Sequence, residues 1–480
     1  MSTTWRWLIL SVFSAATCKI ASGQGVPPSP DRSWHFPAER EIQAEAKALR
    51  VSRLTIDATK SYSLADLVDF AERNNPETRV AWEGAKARGA ALRIAQSELY
   101  PALAAAALSQ VDRENVLFGN TFVRQTVAAF GPALQLDYTM FDFGARAGRI
   151  ATARAQLAAA NFAFNDTHRK IIFQVADTYY RLLNAVGQVD AAEASLLNAK
   201  TVQEAAEDRL EHGLATLPDA LEARSATAQA EFDLQSARGF EEIARGDLST
   251  TLGIAPTVNI PVQPLDELPP PEMHDESVEQ LLDSALEQRP DLLQQVEGVK
   301  AAEGTVREAR AAYYPSVRLG TTVGEPFQYG WQDQLPATRR MGLTGTAAVR
   351  VDWTIFDGAA RKNNLLKAEA SRNAAAAQVE VTVDQIADEV WRSYSNVKTA
   401  LRQRQAATAL LEAASQSYAA AVEAYGFGVR SLLDVTSAQR TLAQARTADI
   451  AARTAVLDAL ADLAFRTGDL MRIGGSKDKP

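Results

Sequence analysis

Residues 343–358, Leu-Thr-Gly-Thr-Ala-Ala-Val-Arg-Val-Asp-Trp-Thr-Ile-Phe-Asp-Gly, hold two structural signals back to back. Leu343, Ala347, Val349, Val351, Trp353 and Ile355 fall on one face, and Thr344, Thr346, Ala348, Arg350, Asp352 and Thr354 on the other. Successive side chains of a strand point to opposite faces, so this is a strand with one apolar and one polar side. Directly afterwards the apolar spacing becomes helical and stays so over 359–427. At 1.5 Å per residue such a helix is roughly 100 Å long. No compact domain contains that, and a pattern of this length implies coiled-coil packing.

The same passage occurs earlier. Asp352-x-Thr354-x-Phe356-Asp357 echoes Asp137-x-Thr139-x-Phe141-Asp142, and Gly428-x-x-Ser431-Leu432-x-Asp434 echoes Gly213-x-x-Thr216-Leu217-x-Asp219. Residues 63–101 and 277–315 align without a gap, with 13 of 39 positions identical, including Pro76/Pro290 and Tyr100-Pro101/Tyr314-Pro315. A period of about 215 residues far exceeds solenoid repeats of roughly 20–50, so each copy is a structural half with its own order of elements.

That order is the same in both. A helical run over 64–99 is broken at Asn75-Pro76, because a residue before proline resists helix. Strands are expected at 102–111 and 130–140, then at 316–324 and 343–355, joined by polar, glycine-containing loops at 112–129 and 325–341. Long helices follow over 144–212 and 359–427; Ile150, Leu157, Phe164 and Ile171 recur every seven residues in the first. Each ends in a tip turn at Gly213 or Gly428. Asp219 or Asp434 is the expected N-cap of a return helix, running to about Leu252 or Phe465. The chain divides into a signal peptide (1–23), a proline-containing lead-in (24–60), a first repeat (61–252, hairpin 102–140, tip 213–219), a proline-rich linker (253–276), a second repeat (277–468, hairpin 316–356, tip 428–434) and a polar tail (469–480).

Arg6, the apolar run Trp7–Ala16 and Ala21-Ser22-Gly23 read as an export signal. Cys18, the single cysteine, leaves open a lipoprotein reading that Thr17 before it fits poorly. A net charge of −9 argues against a nucleic-acid partner. His35, His168, His212 and His274 lie in separate segments, and no P-loop, GxSxG, HExxH or CxxC occurs, so neither enzyme nor cofactor is implied. No later apolar run reaches the 18 residues of a membrane helix.

Strands of about ten residues with one apolar face fit a transmembrane β-barrel. A soluble sheet is the alternative, within a soluble exported coiled-coil scaffold, but no segment remains to cover it. Four strands cannot close in lipid, where each unpaired backbone group costs several kcal/mol. Oligomerisation is therefore required. The polar face (Gln135, Asp137, Thr139; Arg350, Asp352, Thr354) favours a watery lumen, hence three or more copies, three of which would supply twelve strands. The fold class is mainly α with a transmembrane β part: a long α-helical barrel continuous with the β-barrel.

The chain resembles the TolC family of outer-membrane factors. The resemblance rests on Asn75-Pro76 to Tyr100-Pro101, on Asp352-Trp353-x-Ile355-Phe356-Asp357-Gly358, and on the tip Gly428-Val429-Arg430-Ser431-Leu432-Leu433-Asp434-Val435. It implies a homotrimer in outer-membrane lipid, a periplasmic helical barrel, and partners in a periplasmic adaptor and an inner-membrane transporter of RND or ABC type. The function so implied is a passive exit duct for efflux or type I secretion. By the same resemblance Asp434 narrows the periplasmic entrance, with Asp219 as its repeat partner, while Tyr425 and Arg430 latch the closed tip. Helix capping is a second reading of both aspartates. Ser437 stands where the family pattern has another entrance acid, which makes the constriction less acidic. Pro218 against Leu433 and Ala215 against Arg430 mark unequal tips, with gating expected mainly in the second.

Overall fold

The computed structural model describes residue 31 and residues 39–48, 60–265, 277–332 and 335–470. The signal peptide, Cys18, linker residues 266–276 and the tail after 470 lie outside the described residues. Residues 1–55 and 56–480 form separate units. In the first, helix α1 (Glu39–Ala48) is exposed and highly charged, within the proline-containing lead-in.

The second unit contains the duplication. Ser63 caps α2 (Leu64–Asn74) through a reciprocal box with Asp66, and Ser277 caps α6 (Val278–Gln288) the same way with Gln280. The break at Asn75-Pro76 starts α3 (Pro76–Ser97), where the Asn75 side chain accepts from Glu77 N at 2.8 Å. Its counterpart is α7 (Pro290–Ala311).

Strands β1 (Ala102–Phe118) and β2 (Thr121–Phe141) pair without interruption to Gly119-Asn120, with Gly119 at φ +61. Positive φ is what a two-residue hairpin turn requires. Residues 112–129 are therefore mostly strand, not the expected loop. Asp112, Arg113 and Glu114 read as loop by polarity, but ladder hydrogen bonds are made by the backbone whatever the side chain. The second expected loop also holds strands. β3 (Ser316–Gly324), β4 (Phe327–Gln332), β5 (Leu335–Met341) and β6 (Thr344–Asp352) complete the sheet. β3 and β4 lie end to end along β2, Gly324 opposite Ala133 and Phe327 opposite Phe130, so one register continues across Pro326. β6 and β5 continue each other in the same way. Six segments thus make four strand widths, as expected, but three of the four are nearly twice the expected length and the last is also longer. At the interruption backbones nearly touch: a Cβ on Gly131 would lie 2.8 Å from Glu325 O.

The last strand of each repeat, β2 or β6, turns into a long helix, α4 (Ala145–Glu211) or α8 (Ala360–Gly426), through two successive left-handed residues. These are Phe143-Gly144 (φ +51, +100) and Gly358-Ala359 (φ +62, +70). The repeated aspartate holds each corner. Asp142 accepts from Arg146 N (2.8 Å) and Nε (3.2 Å), and Asp357 from Arg361 N (3.0 Å) and Nε (2.7 Å). Each arginine also donates to the chain leading into the corner, Arg146 to Met140 O near the end of β2 and Arg361 to Ile355 O just beyond β6. Strand β6 ends at Asp352, short of the expected 355. Trp353 lies beyond it and donates its indole N–H to Tyr313 O, so Trp353 and Tyr138 are repeat equivalents in unlike settings.

The return helices are α5 (Leu217–Thr251) and α9 (Leu432–Thr467). The main apolar core sits at mid-length of the long helices, where Leu67 and Ala71 of α2 meet Ile171, Val175 and Leu182 of α4. Leu281 and Ala285 of α6 pack similarly on Ile386 and Val390 of α8. A buried charge chain joins the halves there. Arg169 binds Asp166 (2.6 Å) and Phe465 O (2.9 Å) and reaches Asp291 (3.4 Å); Arg289 binds Asp291 (2.6 Å) and Glu389 (2.7 Å). Buried charges persist only when paired in this way.

Helix α7 packs against both α4 and α8, whereas α3 packs on α4. Gly148 of α4 and Gly304 of α7 allow the closest approach: a Cβ on Gly304 would lie 2.7 Å from Thr152 N and 2.9 Å from Gly148 O. Gly304→Ala is expected to force these backbones apart and lower stability by about 1–3 kcal/mol, read as a reduced midpoint of thermal unfolding in detergent.

Candidate functional site at the helical tips

Both tips are built alike. At the first, Gly213 (φ +73) reverses the chain, and Leu214 N and Ala215 N donate to Arg209 O. At the second, Gly428 (φ +72) does so, and Val429 N and Arg430 N donate to Ala424 O, 215 residues on. Glycine at this position after a helix satisfies carbonyls that would otherwise end unpaired.

Asp219 and Asp434 cap the return helices, but not as N-caps. The N-caps are Thr216 and Ser431, and the aspartates stand three residues on, reaching back. Asp219 accepts from Thr216 N (2.9 Å) and Oγ1 (2.7 Å); Asp434 accepts from Ser431 N (3.1 Å) and Oγ (2.9 Å). A serine or threonine followed three residues later by an acid is the sign that identifies this box in sequence. These hydroxyl hydrogen bonds first, then the backbone ones, hold both carboxyls below the usual aspartate range. A lowered folded value means the stabilisation is present above an unperturbed aspartate pKa. It is lost only as pH falls through the folded one. Both groups are therefore anionic at neutral pH.

Arg430 lies 3.8 Å from Asp434 within the same turn, both exposed, and does not cross to the other hairpin. Leu432 is buried with Val202, Ala206, Ala223, Ala421 and Val435, whereas its repeat equivalent Leu217 is exposed. Ser437 is exposed at the position of the expected second acid.

Arg209, which the sequence pattern did not single out, joins the two tips beside the apolar contacts of Leu432 and the Arg440–Glu222 ion pair (3.5 Å). Its guanidinium lies 4.7 Å from the Tyr425 ring centre, and Nη1 donates to Tyr425 O (2.8 Å) and Gly426 O (3.4 Å). It thus caps the last carbonyls of α8 from the end of α4. Cations are favoured near a helix C-terminus, which was the available signal, though it points to α4's own end. Burial pushes the Tyr425 hydroxyl above its ordinary pKa, with Asp219 adding to the rise and Arg209 opposing it. That hydroxyl has no hydrogen-bond partner among the described residues. Asp219, Asp434, Arg430, Arg209 and the partly buried Tyr425 are thus gathered at the tips. Among the described residues no group of histidine, cysteine and acidic side chains is arranged to hold a metal, and no helix is long and apolar enough to cross a membrane.

The family model described as "Outer membrane efflux protein" matches residues 67–254 and 281–469, one match in each repeat. Protein CyaE of Bordetella pertussis is 26% identical over 390 residues, 81% of this chain and 80% of that protein. Outer membrane protein OprJ of Pseudomonas aeruginosa is 26% identical over 441 residues, 90% of this chain and 89% of its own. The crystal structure of VceC, an outer-membrane protein of Vibrio cholerae, superposes with a TM-score of 0.70 at 20% identity, covering 84% of this chain and 96% of that one.

Replacing Arg209 with methionine keeps apolar bulk and removes the donor. Hydrogen exchange at residues 427–430 is expected to rise roughly fivefold, the equivalent of about 1 kcal/mol for one hydrogen bond. Exchange near Asp166 at mid-helix should stay unchanged.

Proposed function

The chain belongs to the outer membrane efflux protein family, and we propose that three copies form a duct whose periplasmic entrance is set by Asp434, Asp219, Arg430 and Tyr425, with Arg209 joining the two hairpins. The protein is an outer-membrane efflux channel with a long periplasmic helical part, and the soluble scaffold reading is set aside.

The observation that carries the ring of copies is the unequal packing of equivalent helices. Helix α7 has long-helix partners on both sides and α3 has one. Val80, Trp82 and Ile94 on α3 are left exposed. If each α3 must be flanked as α7 is, its second partner is α8 of the next copy. Repeating this around an axis gives alternating, pseudo-equivalent halves. The sheet makes the same demand, because β1 and the β6/β5 strand each end with an unpaired edge.

OprJ is named as an outer-membrane protein and CusC as a cation efflux protein, neither as an enzyme. Another relative is a toluene efflux pump component, so the relatives differ in cargo. We take the duct to be passive. An adaptor and an inner-membrane transporter would engage the tips, and opening would splay the two hairpins. Charge at the tip favours cations there: three copies of Asp434 would form an anionic ring. Capping and gating are compatible, because the capping box uses Oδ2 and leaves Oδ1 facing Arg430. The division into lead-in, two repeats and linker stands as our domain reading.

In planar bilayers, Asp434→Ala is expected to raise single-channel conductance or to relieve block by trivalent cations added at the tip side. Unchanged conductance and block would leave Asp434 a capping residue alone. Extraction of native membranes at alkaline pH should leave the protein in the pellet; recovery without detergent would sink the channel reading.

A further inference from the structure

The outward face of the sheet ends in a cationic rim. From Met140 to Phe130 the even-numbered side chains of β2 are uncharged, as are those beside them on β1, β3 and β6. Phe130 contacts Phe327 on this face, ring centres 5.2 Å apart. One step further out stand Tyr329 and Trp331, 4.9 Å apart and both partly exposed. From Met140 to Ala128, which lies opposite Tyr329, twelve residues at ~3.3 Å and a tilt of ~40° span about 30 Å. That matches an apolar band of about 25 Å with its aromatic girdles. Tyr329 and Trp331 therefore mark the outer membrane–water boundary.

Three arginines share that face at that boundary. Arg339 lies opposite Tyr329, Arg113 opposite Thr126 (itself opposite Trp331), and Arg124 opposite Asn115. All three are exposed, and none makes an ion pair with the described residues of the chain. The nearby acids Asp112 and Glu114 alternate onto the opposite, lumenal face. An outward cluster of unpaired guanidiniums beside an aromatic girdle has no use for a neutral headgroup. Guanidinium matches phosphate oxygens in a bidentate fork.

We propose that Arg113, Arg124 and Arg339 bind the phosphate groups of the outer-leaflet glycolipid and so anchor the barrel at a fixed depth. The proposal rests on the outer-membrane barrel reading and adds a lipid site to it. Three copies would place nine arginines around the circumference.

The test uses the full-length protein in nanodiscs with three lipid additions: lipopolysaccharide with intact lipid A phosphates, the same material dephosphorylated, and phosphatidylglycerol. Retained lipid is counted by native mass spectrometry. Intact lipopolysaccharide should be retained, and the other two at least tenfold less. The R113Q/R124Q/R339Q variant should lose that preference, each arginine contributing roughly fivefold. Equal retention of all three lipids by the native protein would overturn the proposal without needing any variant. So would undiminished retention by the triple variant, provided it still conducts in planar bilayers. Absence of conductance in the native protein would instead overturn the duct reading on which the site rests.

Discussion

A sheet four strands wide with an apolar outer face leaves two rows of backbone donors and acceptors unpaired. In hydrocarbon each such group costs several kcal/mol, and no rearrangement within one chain removes them. That constraint governs the rest of the molecule. It makes the functional unit an oligomer, and it requires the helices continuous with the strands to follow the same ring. The curvature that closes the barrel is passed on at the strand-to-helix corners, where paired left-handed residues and an aspartate–arginine clamp occur at both repeats.

The duplication is therefore a device for building a ring from few chains. Where both halves face equivalent surroundings, they keep equivalent chemistry. The corners, the proline-started helices α3 and α7, and the glycine tips all agree to within one residue of a fixed offset. Where the halves face each other, they diverge. Gly148 and Gly304 bring α4 and α7 to backbone contact, while the corresponding positions Asn363 and Ala90 have side chains. Arg209 has Ala424 as its equivalent, so the contact it makes to Tyr425 runs in one direction only. Buried charges at mid-length fasten the halves together, and the exposed charges at the tips leave that end free to respond to charge.

Much of the fold was legible because it rests on periodicity. A period of two over 343–355 and a helical spacing over 359–427 admit few alternatives once both occur in one chain, and the strand and helix found there are Thr344–Asp352 and Ala360–Gly426. Strand length was less legible. Residues 112–129 lose the apolar alternation, and the backbone ladder that makes them strand leaves no mark on side-chain polarity. Capping was read nearly right: Asp219 and Asp434 do cap, but the hydroxyl three residues earlier occupies the N-cap. The segment 325–341 differs in another way, since Pro326, Gly330 and Pro336 suggest a loop, yet Gly330 and Pro336 lie within β4 and β5 and Pro326 only interrupts a continuous register.

The sequence by itself determined the duplication, the alternation of strand and long helix, the need for partner copies and the position of the tips. These follow from local rules and from what lipid forbids. Only the tertiary structure decided which side chains meet across the repeats: Arg209 over Tyr425, Arg169 and Arg289 on Asp291, and three arginines gathered beside Tyr329 and Trp331. Residues 216 or 122 positions apart carry no periodic signal of their contact. Their meeting depends on helix phase and strand register, which are set by packing and not by any stretch of chain alone.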